Sequence, residues 1–224
     1  IKNTIKILRE SKCDEIIVNE LKRTLETGCP NKMNATSTHK NFLTFWRYGN
    51  HSSIKKNLEA TKKTINKEDR NMFMLSFPCW LTRFIENLHV TPQGMLCKNG
   101  KNPRLVWDGS FLPFWYSWNI NMMLNQEDEP EIMYGTTFIR HLTQIWNMRI
   151  SFPLDELYLF DDDVKGAFRH SKYHPDIASA FSFIIDKLLH VPMGGTFESI
   201  VSQADFEPFA KARTHLAEFL STRR

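Results

Sequence analysis

The sequence predicts a mixed α/β domain, and three observations predict it. Asn99-Gly100 sits between the extended runs Val90-Thr91 and Met95-Leu96 and the returning run Arg104-Leu-Val-Trp-Asp108, which is a β-hairpin signature. Leu157-Tyr-Leu-Phe160 is a continuous apolar run bounded by helical patterns, as expected of a buried strand. Elsewhere apolar residues recur at helical spacing, with Gly and Pro marking the ends.

Composition bounds the class. The chain has 224 residues, 42% of them hydrophobic and 24% charged, which is enough to bury a core and excludes a disordered or fibrous protein. No apolar run approaches the roughly 20 residues of a membrane span, and no signal peptide opens the chain. An intracellular protein of cytoplasm or nucleus with no membrane partner is therefore expected. Ile1 stands where an initiator Met would, so the chain is expected to be a piece of something longer. Cys13, Cys29, Cys79 and Cys97 are scattered, with no Cys-x-x-Cys pair, which predicts reduced thiols and not a zinc site. Asn34-Ala-Thr and Asn50-His-Ser fit the glycosylation pattern, which means little without a secretory signal.

Charge is unevenly spread. The net charge is +4, yet residues 1–70 hold 15 Lys and Arg against 8 Asp and Glu, and the remainder is mildly acidic. Two readings stand: a basic arm for a polyanionic partner, or a solvated, Lys-rich helical face.

Taken in order, residues 1–28 read as helical through Ile5, Leu8, Ile16, Ile17 and Leu21, and end near Gly28 and Pro30. Residues 29–53, rich in Asn, Thr, Ser and His, read as a linker, and residues 54–70 as a solvated helix. The body is expected to start near Met72. Pro92-Gln93-Gly94 reads as a turn before the hairpin, whose tip gathers Lys98, Lys101 and Arg104. Those cations suit phosphate contact or simple solubility. Residues 109–134 look irregular, with an acidic Glu127–Glu131 cluster. Thr136–Met148 is a helix whose Phe138, Ile139, Leu142, Ile145 and Trp146 share one face, expected to be core. A further helix is expected from Pro175 through Ile177, Phe181, Ile184, Ile185 and Leu188. Pro192-Met-Gly-Gly195 is a turn, and Asp205 is placed to cap a last helix over Phe206–Leu220.

The apolar run at 157–160 enters Asp161-Asp162-Asp163. Carboxylates converging at a strand end repel unless cations or metal neutralise them, and alternation puts Asp161 and Asp163 on one face. An acidic strand exit without metal is the alternative. The segment Asp163-Val164-Lys165-Gly166-Ala167-Phe168 resembles motif A of reverse transcriptases. The hairpin with Arg104-x-x-x-Asp108 and the tail Ser110, Pro113, Ser117, Asn119 is similar to that family's fingers. Pro192-Met193-Gly194-Gly195 with Ser199 resembles motif B, with Met193 in place of the usual Gln and Glu198 where a small residue is common.

The resemblance spans about residues 89–224 and implies an RNA-directed DNA polymerase of a retroelement, part of a larger polyprotein. It implies right-hand fingers and a partial palm over 71–224, an antiparallel sheet backed by helices, after a basic helical segment at 1–70. It implies Mg²⁺ or Mn²⁺ on Asp163 and the Val164 carbonyl, with Asp163 catalytic, two metals driving nucleotidyl transfer. Deoxynucleoside triphosphate would meet Arg104, Lys101, Phe168 (the sugar gate), Met193 and Gly194. The RNA or DNA template with its primer would meet Lys98 and Ser199. The family's later aromatic-x-Asp-Asp turn does not occur in these 224 residues, so the chain alone is expected to be inactive in primer extension. A non-catalytic nucleic-acid-binding remnant of a retroelement is the alternative. Trp115, Tyr116 and Trp118 suit base stacking or core packing. Arg169-His170 and Tyr173 raise a tyrosine recombinase, but lie too close together in sequence for that chemistry.

Overall fold

A computed structural model describes residues 1–29, 33, 39–98, 100, 102–112, 119–124, 137–157, 164, 166–196, 199 and 201–221. It is a mixed α and β fold with small antiparallel sheets, and it divides into two compact units. Residues 1–129 and 167–224 form the larger; residues 130–166 form the smaller.

Two helices open the larger unit, α1 (Lys2–Glu10) and α2 (Glu15–Thr27). Lys12 interrupts them with φ of 59°, and the Asp14 carboxylate accepts the Ile16 N–H at 2.8 Å to cap α2. Gly28 ends α2 at φ 85°, and a Cβ there would lie 2.6 Å from the Tyr173 carbonyl oxygen. Ile5, Leu8, Cys13, Val18 and Leu21 pack with Ala212 of the last helix, α10 (Ser202–Ser221). The His215 Nε2 sits 3.0 Å from both the Ser11 hydroxyl and the Ser11 carbonyl, tying the two ends of the chain together.

The expected linker instead contains α3 (His39–Tyr48), followed by α4 (Ser52–Lys56) and α5 (Leu58–Arg70). Polar flanks hid α3, whose own sequence is rich in aromatics and whose Phe45 is fully buried in the main core. The Lys-rich stretch is not wholly solvated either: Ile54, Thr61 and Ile65 turn inward. Next come β1 (Met74–Pro78), a 3₁₀ turn at Cys79–Phe84, and the hairpin β2 (Gln93–Leu96) and β3 (Arg104–Trp107). The hairpin forms as expected, paired from Gln93↔Trp107 to Leu96↔Arg104, with a longer loop than a tight Asn-Gly turn. Gln93 and Gly94 belong to its first strand and not to a preceding turn, and Gln93 is buried.

After α6 (Ile120–Met123), the smaller unit holds α7 (Thr137–Ser151). None of the described side chains of α7 is buried: Ile139, Leu142 and Trp146 are 63%, 50% and 65% exposed. Periodicity identified the apolar face but not a cover for it, and the core role expected of that face is not found. Within this unit Leu142, Ile145, Trp146, Met148 and Leu157 line an open apolar groove of about 680 Å³.

The larger unit resumes with α8 (Ala167–His170) and α9 (Pro175–Ala178), the latter opened by Pro175 as expected. A 3₁₀ turn at Ser179–Phe181 follows. The helix expected to continue to Leu188 is a hairpin instead, β4 (Phe183–Ile185) and β5 (Leu188–Pro192). Asp186 and Lys187 both take positive φ, 53° and 62°, the requirement of a two-residue type I′ turn. Without a Gly or Asn there, the turn leaves no trace in the sequence. The sheet order is β1-β5-β4, all antiparallel, and Met95 and Leu105 of the other hairpin join Met74, Phe183 and Ile185 in a second core. Helix α10 begins before Asp205, which is buried in its first turn. Among the described residues no helix is long and apolar enough to cross a membrane.

Two predictions follow from this packing. Lys187→Gly relieves the left-handed backbone and is expected to stabilise by roughly 0.5–1 kcal/mol, read as a shift in the denaturant midpoint. His89 lies in the core with neither ring nitrogen hydrogen-bonded among the described residues, and burial pushes its pKa down to about 4. Below its ordinary 6.5 the unfolded chain takes a proton that the fold refuses. Stability is therefore fully present above pH 6.5 and falls toward pH 4, by about 3 kcal/mol in all. His89→Leu should flatten that part of the stability–pH curve; an equally steep curve would contradict the assignment.

Candidate nucleotide site

The sequence places its candidate site residues in three stretches, and the larger unit brings parts of two together. The end of β5 turns through Met193, Gly194 and Gly195 against the segment 168–173. Lys172 and Gly194 pair antiparallel, the Tyr173 N–H donates to the Met193 carbonyl at 3.0 Å, and the Met193 N–H donates to Phe73 at 2.9 Å. A Cβ on Gly194 would stand 2.6 Å from the Arg169 carbonyl oxygen. One on Gly195 would stand 2.8 Å from the Phe168 carbonyl oxygen. Only residues without side chains permit that approach. Phe168 is thus held beside Gly195, its ring edge-on to Phe206 at 6.2 Å.

Cations surround this contact. The Arg169 Nε meets the Glu68 carboxylate at 3.1 Å, both side chains largely buried. The approach is an ion pair without hydrogen-bond alignment, and Arg169 Nη1 is buried with no hydrogen-bond partner among the described residues. Lys172 donates to the Met72 carbonyl at 3.1 Å and lies 5.1 Å over the Phe73 ring. Burial, then the charge of Arg169, lowers its pKa. The His170 ring meets Phe73 edge-on at 5.6 Å. Tyr173 is enclosed, stacked on Phe181 at 4.0 Å with its hydroxyl accepting the Thr196 N–H, and burial pushes its pKa up to about 12. A phenol so buried is no nucleophile, so the recombinase reading finds no support. Ser199 is also buried, its hydroxyl unpartnered among the described residues.

Arg104 is exposed at the loop end of the hairpin, in the other sheet, and Lys98 is exposed in its loop. Asp108, closing the Arg104-x-x-x-Asp108 pattern, accepts from Ser110 at 3.0 Å and lies 2.9 Å from His51 Nε2. His51 was invisible as a partner in the sequence, being distant and inside an apparent linker. Glu68 was equally invisible, being distant and on a helix expected to be solvated. Val164 is described and partly exposed, in the smaller unit. Asp161, Asp162, Asp163, Lys165, Lys101, Trp115, Tyr116, Trp118, Glu198 and Asn34 lie outside the described residues, as does most of the strand expected at 157–160. Among the described residues no group of three His, Cys, Asp or Glu side chains is placed to hold a metal ion.

No known family, curated protein or solved structure matches the chain.

The contact itself yields a prediction. Gly194→Ala forces backbone apart and is expected to cost about 2 kcal/mol in chemical denaturation. Gly94→Ala is the control, since its Cβ would meet nothing closer than the Ser53 hydroxyl at 3.6 Å, and should cost much less.

Proposed function

We propose that the chain is the fingers and partial palm of a retroelement's RNA-directed DNA polymerase, taking deoxynucleoside triphosphate beside Phe168 and Gly194. The observation that carries this reading is the packing of the Phe168–Tyr173 segment on the Met193–Gly195 turn. Phe168 closes the stretch that resembles motif A, Met193–Gly195 lies in the one that resembles motif B, and a polymerase needs the two adjacent, one at the sugar and one at the base. The hairpin, whose second strand begins at exposed Arg104, supports the fingers assignment by presenting a cation to phosphate.

In this reading Asp163 and the Val164 carbonyl hold Mg²⁺ or Mn²⁺, which supplies charge neutralisation for nucleotidyl transfer. The chain's own residues orient: Phe168 closes the floor against a ribose 2′-hydroxyl, and Gly194 lets the turn that flanks the base lie directly on the Arg169 carbonyl. Template and primer lie along exposed Lys98, while Ser199, being buried, cannot touch them directly. Glu68 fixes the Arg169 side chain, and with it the short helix that carries Phe168.

Manganese binding followed by electron paramagnetic resonance tests the reading. The purified chain should bind Mn²⁺, Asp163→Ala should abolish that binding, and Phe168→Ala should leave it intact while weakening deoxynucleotide binding. Equal Mn²⁺ binding by Asp163→Ala would overturn the metal assignment and favour a non-catalytic nucleic-acid-binding remnant.

A further inference from the structure

A second candidate site lies elsewhere in the larger unit and does not depend on the polymerase reading. Where α3 ends, Phe45, Trp46, Gly49 and Asn50 face Val90, Ile184 and Lys187 around a cavity of about 150 Å³. An apolar cavity of that size holds one six-membered ring.

Its walls are unequal. Phe45 and Val90 are buried and belong to the main core, so the inner wall is fixed. Trp46 is 40% exposed and lines the rim. Gly49 has φ of 78°, and a Cβ there would meet nothing within 4 Å, so that side is open. The polar groups inside are already used: the Asn50 Nδ2 donates to the Ile184 carbonyl at 2.6 Å, and its Oδ1 accepts the Gln93 N–H at 2.9 Å. With the Asn50 amide committed to the backbone on both sides, the walls that remain are mainly apolar and aromatic, and recognition there is by stacking.

Lys187 supplies the charge. Its neighbour Asp186 is engaged by Lys62 at 2.8 Å and also feels the Lys187 charge, while no carboxylate lies within ion-pair distance of Lys187 among the described residues. The turn holds the Lys187 backbone in the left-handed conformation with its side chain exposed. Its carbonyl accepts the Cys79 N–H at 3.2 Å, at the start of the 3₁₀ turn where Arg83 lies 5.0 Å from the ring of exposed Phe84. The surface near this lysine is therefore aromatic and cationic, on a chain of net charge +4.

We infer that this cavity takes one unstacked nucleobase of a single-stranded nucleic acid, with Trp46 stacking on the base and Lys187 meeting its phosphate. A planar ring next to an anion is what an apolar slot with one exposed cation at its mouth complements, and stacking without edge readout makes the binding sequence-tolerant. A duplex keeps its bases paired and cannot fill the slot.

Binding of a fluorescein-labelled oligothymidylate to the full chain, read by anisotropy across a salt series, tests this. Trp46→Ala is expected to weaken binding on the order of tenfold. Lys187→Asn, which keeps the turn because Asn tolerates positive φ, should reduce the slope of log affinity against log salt by about 0.7. An oligomer of abasic sugar phosphate should bind no better to the parent chain than to Trp46→Ala. Unchanged affinity in Trp46→Ala with unchanged circular dichroism would overturn the proposal, as would equal binding of abasic and thymine-bearing strands. A salt slope that Lys187→Asn leaves unaltered would remove the phosphate contact. Mn²⁺ binding at Asp163 is independent of every one of these outcomes, so the two readings fail separately.

Discussion

The larger unit depends on a backbone contact that side chains would forbid. Gly194 and Gly195 run within Cβ-clash distance of the carbonyls of Phe168, Arg169 and Ser171. Because they do, the Gly195 N–H reaches the Ser171 carbonyl at 3.0 Å and Tyr173 swings into the core to stack on Phe181. That ring then seats Thr196, whose carbonyl accepts the Ser202 hydroxyl at the start of α10. Remove the close approach and the turn, the aromatic stack and the last helix lose their common reference.

The basic N-terminal segment is part of the same construction. Cys29 donates its N–H to the Lys172 carbonyl at 2.7 Å, Glu68 pairs with Arg169, and His51 meets Asp108 behind the hairpin. The helices there bury one face each and turn their lysines outward, so the charge surplus is carried by a folded wall. Both readings of that charge, a packed helical face and a polyanion-binding surface, are therefore physically compatible.

Local chemistry decided what was legible in the sequence. The hairpin at 93–107, the Pro175 helix start and the Pro192–Gly195 turn each rest on residues whose backbone preferences are strong. The helix at 39–48 was missed because the polar residues on either side of it masked its own aromatic-rich pattern, and among its described side chains Phe45 is the buried one. Residues 183–192 were misread because Ile184, Ile185 and Leu188 fall at helical spacing while Asp186-Lys187 makes a turn without glycine. The α7 stripe shows the converse limit: spacing defines a face, and only tertiary structure says what covers it. Of the candidate site, Phe168 and Gly194 were legible as neighbours; Glu68 and His51 were not, since nothing local announces a partner so far along the chain.

Hydrogen exchange read by mass spectrometry, with and without a deoxynucleoside triphosphate and Mn²⁺, tests the central claim most directly. If the Phe168–Gly195 contact forms the nucleotide pocket, ligand should slow exchange in residues 168–173 and 193–196 together. Exchange left unchanged in both segments at saturating nucleotide would contradict it.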